Sequence, residues 1–388
     1  MDRKTLGTRM DAVQTPIIPT IGAMVRATPG CISLGQGVVH YPPPRAALEA
    51  AAAAVTEPTT SQYQPAAGIP RLLERITAKL AAENGIHVGR DVRVMVTAGG
   101  NMAFCHALDA ITQPGDEIIV NTPYYFNHEM AIRIAGCVPV CVPTDERYQP
   151  RVDALRAAIT DRTRAIVTVT PNNPTGAVYP EATLRAINAL CGERGIYHVC
   201  DEPYEYFTYG GARHFSGGSI AGAEKHTLSI FSLSKAFGFA GWRTGYMAYP
   251  EHLEGAMLKI QDTMLICPPV VTQIAAAACL EAGRGYAEPF VKDLAEVREL
   301  VLERLGRLAP KVNVPPAEGA FYCFVKIDSG KDPMEIAERL IREFKVAVLP
   351  GSTFGVEGCY LRIAYGALKK ETVAEGMGRL VEGLGVCI

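Results

Sequence analysis

RAIVTVTPNNPTGAVYPEATLRAINALCGERGIYHVCDEPY, residues 164–204, carries the decisive pattern. A short β-branched run, RAIVTV (164–169), ends in a turn rich in Pro and Asn. A longer helical stretch follows, and a second apolar run, IYHVC (196–200), ends in an acid. Strand, crossover and strand form the unit of a parallel sheet, because parallel neighbours need a connection of a dozen or more residues. The alternation continues on both sides. VRVMVT (92–97), EIIVNT (117–122) and CVPVCV (137–142) precede the unit, and TLSIFS (227–232) and RTGYMA (243–248) follow it. Such runs predict a mostly parallel α/β sheet with helices on its faces.

Beyond residue 285 the pattern changes. In YAEPFVKDLAEVRELVLERLGRL (286–308), Phe290, Leu294, Val297, Val301 and Leu305 form one stripe of a long amphipathic helix. Then come FYCFVK (321–326), a helical stretch at 332–344, KVAVL (345–349) and CYLRIA (359–364), read as a smaller α+β domain. The expected division is a large domain over 40–285 and a small one from 1–39 plus 286–388, linked by the long helix. AALEAAAAAV (46–55) is a strong helix former. The segment before residue 40 has no strong periodicity and is expected to dock on the small domain.

The 388 residues are 48% hydrophobic and 20% charged, enough for a large core. Lys and Arg number 38 against 40 Asp and Glu. With no block of like charge, nothing points to a nucleic-acid or membrane partner. MDRKTLGTRMDAVQTPI lacks the apolar centre of a signal peptide, and VVTQIAAAACLEAG is shorter than the roughly 18 residues of a membrane span. A cytoplasmic enzyme is expected. The eleven cysteines are odd in number and scattered, with no CxxC and no zinc-finger spacing, so buried reduced thiols and no metal are expected. CVPVC (137–141) reads as a strand.

Four polar motifs fall just after predicted strands, where open α/β sheets bind ligands. In TAGGNMAF (97–104), Gly99 and Gly100 allow close backbone approach, and the helix start that follows offers free N–H groups to an anion such as phosphate; a plain strand-to-helix turn fits as well. TPNNPTG (170–176) is a rigid turn that also holds side-chain amides in fixed directions. In CDEPYEY (200–206), Asp201 at the end of an apolar strand needs a partner, either a cation, a metal or a protonated ring nitrogen, unless it caps a helix. In IFSLSKAFGFAGWRTGYM (230–247), Lys235 is either a surface lysine or a desolvated amine able to form a Schiff base. Arg243 opens the following strand and reaches the same edge only if that strand runs antiparallel.

Taken in order, NNPTG, DEPY, SLSKAFGFAGWRTGY and LRIAYG resemble the fold-type I, pyridoxal-phosphate-dependent aminotransferases of class I/II, from about LGQG at residue 34 to YLRIAYG at 360. The resemblance implies a large domain with a mostly parallel mixed sheet, a smaller α+β domain, and pyridoxal 5′-phosphate as cofactor. It implies that Lys235 attaches the cofactor and then moves the substrate's α-proton. Asp201 pairs with the pyridine nitrogen, Asn173 and Tyr204 with the phenolic oxygen, and Tyr125 stacks on the ring. Gly100, Asn101, Met102, Ser232 and Arg243 hold the phosphate, with Ser234 less firmly assigned. Tyr63 crosses to the phosphate of a second subunit, which makes the enzyme a homodimer. Arg362 grips the substrate α-carboxylate with a planar fork, beside the backbone of Gly37.

The substrates implied are an L-amino acid and a 2-oxo acid in a ping-pong exchange. Asn101 stands where dedicated aspartate enzymes of the related subgroup often have lysine. LGQGVVHYPPP looks like the glutamine/kynurenine/methionine-type enzymes, although VVHY departs from their FPDF. Tyr125, Phe126 and His128 are candidates for a pocket for aromatic or large neutral side chains, or else are core. The alternatives within the fold are a C–S β-lyase, a related synthase and an aspartate aminotransferase proper. A Ser–Lys hydrolase using Ser234 or Ser232 with Lys235 would find no GxSxG elbow in this sequence and would leave Asp201, Asn173 and Arg362 without roles. A pyridoxal-phosphate-binding regulatory domain would typically be fused to a DNA-binding module, and no basic segment here suggests one.

Overall fold

The computed structural model describes residues 7–388. Residues 1–6, part of the segment read for a secretion signal and of the 1–39 range, lie outside the described residues. Thirteen strands occur among the described residues: β1 (Ile32–Ser33), β2 (Val92–Thr97), β3 (Glu117–Thr122), β4 (Val138–Pro143), β5 (Thr163–Val169), β6 (Tyr197–Asp201), β7 (Thr227–Ser232), β8 (Gly245–Pro250), β9 (Val312–Asn313), β10 (Tyr322–Ile327), β11 (Val346–Ala347), β12 (Leu349–Pro350) and β13 (Tyr360–Ala364).

Seven strands form one sheet in the order β2-β8-β7-β6-β5-β3-β4. All neighbours are parallel except β8, which runs antiparallel to both β2 and β7. Successive side chains point to opposite faces. Ile118, Val120, Ala165 and Val167 pack with Phe104, Ala107 and Met257 on one face. Ile119 and Ile166 pack with Leu155, Ile187 and Leu190 on the other. Each such aliphatic side chain contributes about 1.5–3 kcal/mol by leaving water, so burial on both faces fixes the register.

A second, antiparallel sheet has the order β12-β13-β10-β9, and β1 pairs in parallel with β11. The helix Glu288–Gly306 buries Leu294, Val297, Val301 and Leu305 in one core with the helices Pro333–Phe344 and Lys370–Cys387, while Phe290 stays half-buried and stacks on Tyr41.

Four details differ from the sequence reading. The segment before residue 40 contains a helix, Ile17–Arg26, which buries Ile17 and Ile21 against Phe126, Phe324 and Ile341; it was silent because only those two positions are fully covered. KVAVL is two short strands, β11 and β12, in different sheets, with Val348 between them. Arg243 lies two residues ahead of β8 with φ 52°, not within the strand. Cys141 is exposed rather than buried, because β4 is the outermost strand with only β3 beside it. Cys31, Cys105 and Cys267 are also partly exposed, and all eleven thiols are unpaired.

Candidate active site

Strand register alone gathers three of the four motifs. Gly245, the first residue of β8, pairs with Thr97 at the end of β2 and with Ser232 at the end of β7. One strand further, Asp201 at the end of β6 pairs with Ile230 and with Val169 at the end of β5. Because β8 is antiparallel, the chain just ahead of it, with Arg243, arrives at the carboxyl edge of the others. The turn holding Asn173 leaves the same edge after β5.

At this edge a cleft enclosing about 580 Å³ is lined by Gly100, Asn101, Tyr125, Asn173, Asp201, Tyr204, Ser232, Ser234, Lys235 and Arg243, with Val169 and Pro203. One end is built for an anion. Gly99 has φ 87°, and the helix Gly100–Ile111 starts immediately after it. A Cβ on Gly99 would come within 2.3 Å of the Arg243 guanidinium, so only glycine lets that cation lie against the helix start. Arg243 donates to the carbonyls of Ala240 and Ala98 at 2.9 and 3.3 Å. Ser232 caps the short helix Leu233–Ala236, accepting from the Ser234 N–H at 3.2 Å.

The other end holds Asp201, whose Oδ2 lies 3.1 Å from His128 Nε2. The His128 ring stacks on Phe104 at 4.0 Å. This corrects one pocket candidate. Tyr125 and Phe126 line the neighbouring cavity, but His128 lies buried against Asp201, on the inner face of its helix. Tyr125 receives a hydrogen bond from Asn127 at 2.9 Å and donates to Asn101 Oδ1 at 3.4 Å.

A second cavity of about 780 Å³ adjoins the first, with Tyr125, Asn173, Tyr204 and Lys235 common to both. Its own lining includes Ile18, Gln36, Gly37, Val38, Phe126, Tyr322 and Arg362. Arg362, 2% exposed, donates to Asn173 Oδ1 at 2.9 Å and to the Gly35 carbonyl at 2.7 Å. Its guanidinium lies between the rings of Tyr322 and Phe354, 4.8 and 5.2 Å from their centroids. Among the described residues no carboxylate pairs with it, and its Nε has no partner. A buried cation without a counter-ion is costly unless a ligand supplies the charge.

Lys235 stands at the junction, its Nζ donating to the Gly37 carbonyl at 2.6 Å. Its pKa is pulled down to about 8, chiefly by burial and then by Arg243 and Arg362, with Asp201 opposing.

The structure therefore brings Gly100, Asn101, Tyr125, Asn173, Asp201, Tyr204, Ser232, Lys235 and Arg243 into one cleft, and Gly37 and Arg362 into the next. Met102 sits half-buried in the first turn of its helix. Tyr63 is 80% exposed and lines neither cavity. Sequence reading missed Tyr322, Gln36, Val38 and Ile18. Tyr322 belongs to a strand that reads as core, and only its pairing with β13, where Phe324 faces Arg362, takes it to the site.

The family described as aminotransferase class I and II matches residues 29–380. An aromatic aminotransferase of Arabidopsis thaliana is 35% identical, over 99% of this chain and 96% of its own length. An aspartate aminotransferase of Pyrococcus abyssi is likewise 35% identical, over 96% of each. The crystal structure of Thermus thermophilus aspartate aminotransferase with maleate superposes with a TM-score of 0.90 at 34% identity, covering 97% of this chain and 99% of that one. Enzymes of this family use pyridoxal phosphate. The cleft suits that group, with an anion cradle that admits no Cβ at Gly99, a buried carboxylate opposite, and a depressed lysine amine between. The chain belongs to the class I and II aminotransferases, and it is a pyridoxal-phosphate-dependent enzyme that exchanges amino groups between amino acids and 2-oxo acids.

Proposed function

We propose that this aminotransferase acts on amino acids with aromatic or large neutral side chains, with the residues of the two cavities dividing the work. The observation that carries this reading is the lining of the second cavity. Among the described residues its only cations are Lys235 and Arg362, and its side walls are Ile18, Val38, Phe126 and Tyr322. Arg362 binds the α-carboxylate, and apart from Lys235 no further cation of the same chain lines this cavity to meet a second carboxylate. Asn101 lies at the first cleft and carries no charge.

Gly100, Asn101, Met102, Ser232 and Arg243 hold the cofactor's phosphate, Tyr125 covers its ring, and Asn173 and Tyr204 meet its phenolic oxygen. Asp201 pairs with the pyridine nitrogen, and His128 orients that carboxylate. Bound pyridoxal phosphate supplies an electron-accepting ring and a carbonyl carbon for amines. Lys235 is the attachment point and, once free, the base that takes the α-proton, while Arg362 and the Gly37 backbone hold the carboxylate so that this proton faces the amine. The chain over 40–285 forms the cofactor-binding domain, and 1–39 with 286–388 forms the smaller one. The enzyme is a homodimer in which the exposed Tyr63 reaches the partner's phosphate site. Eleven unpaired thiols suit a reducing cytoplasm.

The test is to add single amino acids, without a 2-oxo acid, to the cofactor-loaded enzyme and follow its visible band. Phenylalanine, tyrosine or kynurenine should bleach the band at concentrations at least about tenfold lower than aspartate, since a pocket without a second cation cannot repay the burial of a second carboxylate. Conversion by aspartate or glutamate in preference to these would overturn the substrate assignment.

A second test uses the depressed Lys235 pKa. A lysine lowered to about 8 is largely neutral above that pH and loses its nucleophilic form as pH falls through it. In cofactor-free protein, reductive labelling of Lys235 with a small aldehyde should rise about fivefold from pH 7 to 8 and then level off. A rise that continues to roughly pH 10, the ordinary lysine range, would refute the depressed value.

A further inference from the structure

Besides walling the second cavity, Tyr322 closes a hydrogen-bond chain that crosses both cavities. Arg362 donates to Asn173 Oδ1, which fixes the amide so that Nδ2 turns to the Tyr204 oxygen at 3.4 Å. The Tyr204 and Tyr322 hydroxyls lie 2.8 Å apart, with the rings edge to face. Tyr322 is 1% exposed, and its hydroxyl would be 2.6 Å from a Cβ at Gly37, so glycine there makes room for it. The charged or titratable groups facing Tyr322 are Arg362 from β13, Tyr204 after β6 and Tyr125 after β3.

One proton lies between the two hydroxyls. If Tyr204 donates it, Tyr204 has none left for a ligand in the first cleft. If Tyr322 donates, the Tyr204 oxygen accepts from both Asn173 and Tyr322, and its own proton is free to turn into that cleft, which Tyr204 lines. A hydroxyl that accepts hydrogen bonds is also a stronger donor. Only the second arrangement lets Tyr204 serve the phenolic oxygen of the cofactor.

We propose that Tyr322 is a positioning residue for the transamination reaction, donating to Tyr204 so that the Tyr204 proton points at the cofactor's phenolic oxygen. This rests on the assignment of Tyr204 proposed above. A donor at that oxygen would stabilise its negative charge, so the bound cofactor would give up its proton at lower pH. The pH at which the bound cofactor changes colour is therefore lowered by Tyr204, and lowered further by Tyr322 acting through it.

The experiment titrates the visible band of cofactor-loaded wild type, Tyr322→Phe, Tyr204→Phe and the double variant. Tyr322→Phe keeps the ring over Arg362 and removes one hydroxyl. Its midpoint should rise by a few tenths of a pH unit, a fraction of one neutral hydrogen bond, because Tyr204 keeps its own bond and loses only the strengthening and orientation that Tyr322 supplies. Tyr204→Phe should raise the midpoint more, and adding Tyr322→Phe to it should change nothing further. If Tyr204→Phe leaves the midpoint where it was, the Tyr204 assignment and this inference both fall. If Tyr204→Phe shifts it and Tyr322→Phe does not, or if the two shifts add, Tyr322 does not act through Tyr204 and only this inference falls. An unchanged ultraviolet circular-dichroism spectrum of Tyr322→Phe separates a tuned proton from a disturbed fold.

Discussion

Lys235→Ala is expected to lower kcat by roughly four orders of magnitude, the upper end of what one positioned proton-transfer group supplies. The amine is the one lysine lining both cavities, and it is held at the Gly37 carbonyl rather than by a carboxylate. The other buried lysine, Lys79, is committed to Glu205 and Asn84 in a separate network and cannot stand in. The variant should still bind the cofactor through the anion cradle and Asp201, but without covalent attachment, and a small exogenous amine should restore part of the rate. Single-turnover absorbance with and without added methylamine measures both effects. A variant that keeps activity within tenfold of wild type, in a preparation shown free of wild-type enzyme, would end the case for Lys235 as the base.

Arg362→Ala carries the second large effect. The guanidinium is buried without a counter-ion, its fork directed by Asn173 and Gly35 and its faces covered by Tyr322 and Phe354. On the proposed assignment, an arriving substrate carboxylate supplies the missing counter-ion. Truncating one side of a buried, hydrogen-bonded charge pair costs about 2–5 kcal/mol. That corresponds to a loss of roughly 30- to 5,000-fold in kcat/KM. Arg362→Lys should recover only part of the loss, because an ammonium cannot present two parallel donors. The control is an amine lacking the α-carboxylate. Its slow reaction should change much less than that of the matching amino acid. Near-normal kcat/KM for amino acids in Arg362→Ala would show that the carboxylate is held elsewhere.

How legible these features were depends on the kind of signal each residue leaves. The inner strands of the large sheet could be read because their side chains are buried on both faces, and composition alone marks such runs, while the outermost β4 kept only its β-branched residues as a signal; β2, β3 and β7 match their predicted bounds. Lys235, Asp201 and Asn173 could be found because turn residues and charges stand out when they interrupt apolar strands. His128 could be seen but not placed. Its helix, Phe126–Ile134, turns the ring inward to Asp201, whereas Tyr125, only three residues earlier, opens to both cavities. Helix rotation relative to the sheet decides this, and hydropathy does not encode it for a helix only nine residues long.

Tyr322 and Ile18 left no local signal. An aromatic in an apolar strand and an isoleucine in a weakly patterned segment look like core. They become site residues only through cross-strand register with Arg362 and through the docking of the helix Ile17–Arg26, which brings Ile18 to the second cavity. The sequence by itself determined the alternating α/β plan, because burial periodicity and turn composition are local properties of the chain, and the order of its motifs carried the resemblance that implies the cofactor and singles out Lys235, Asp201 and Arg362. Only the tertiary structure decided which groups share a cavity and which hydroxyls lie within hydrogen-bond reach of each other. Those relations depend on the antiparallel course of β8, the pairing of β10 with β13 and distances of a few ångströms between segments more than a hundred residues apart, and no local pattern records them.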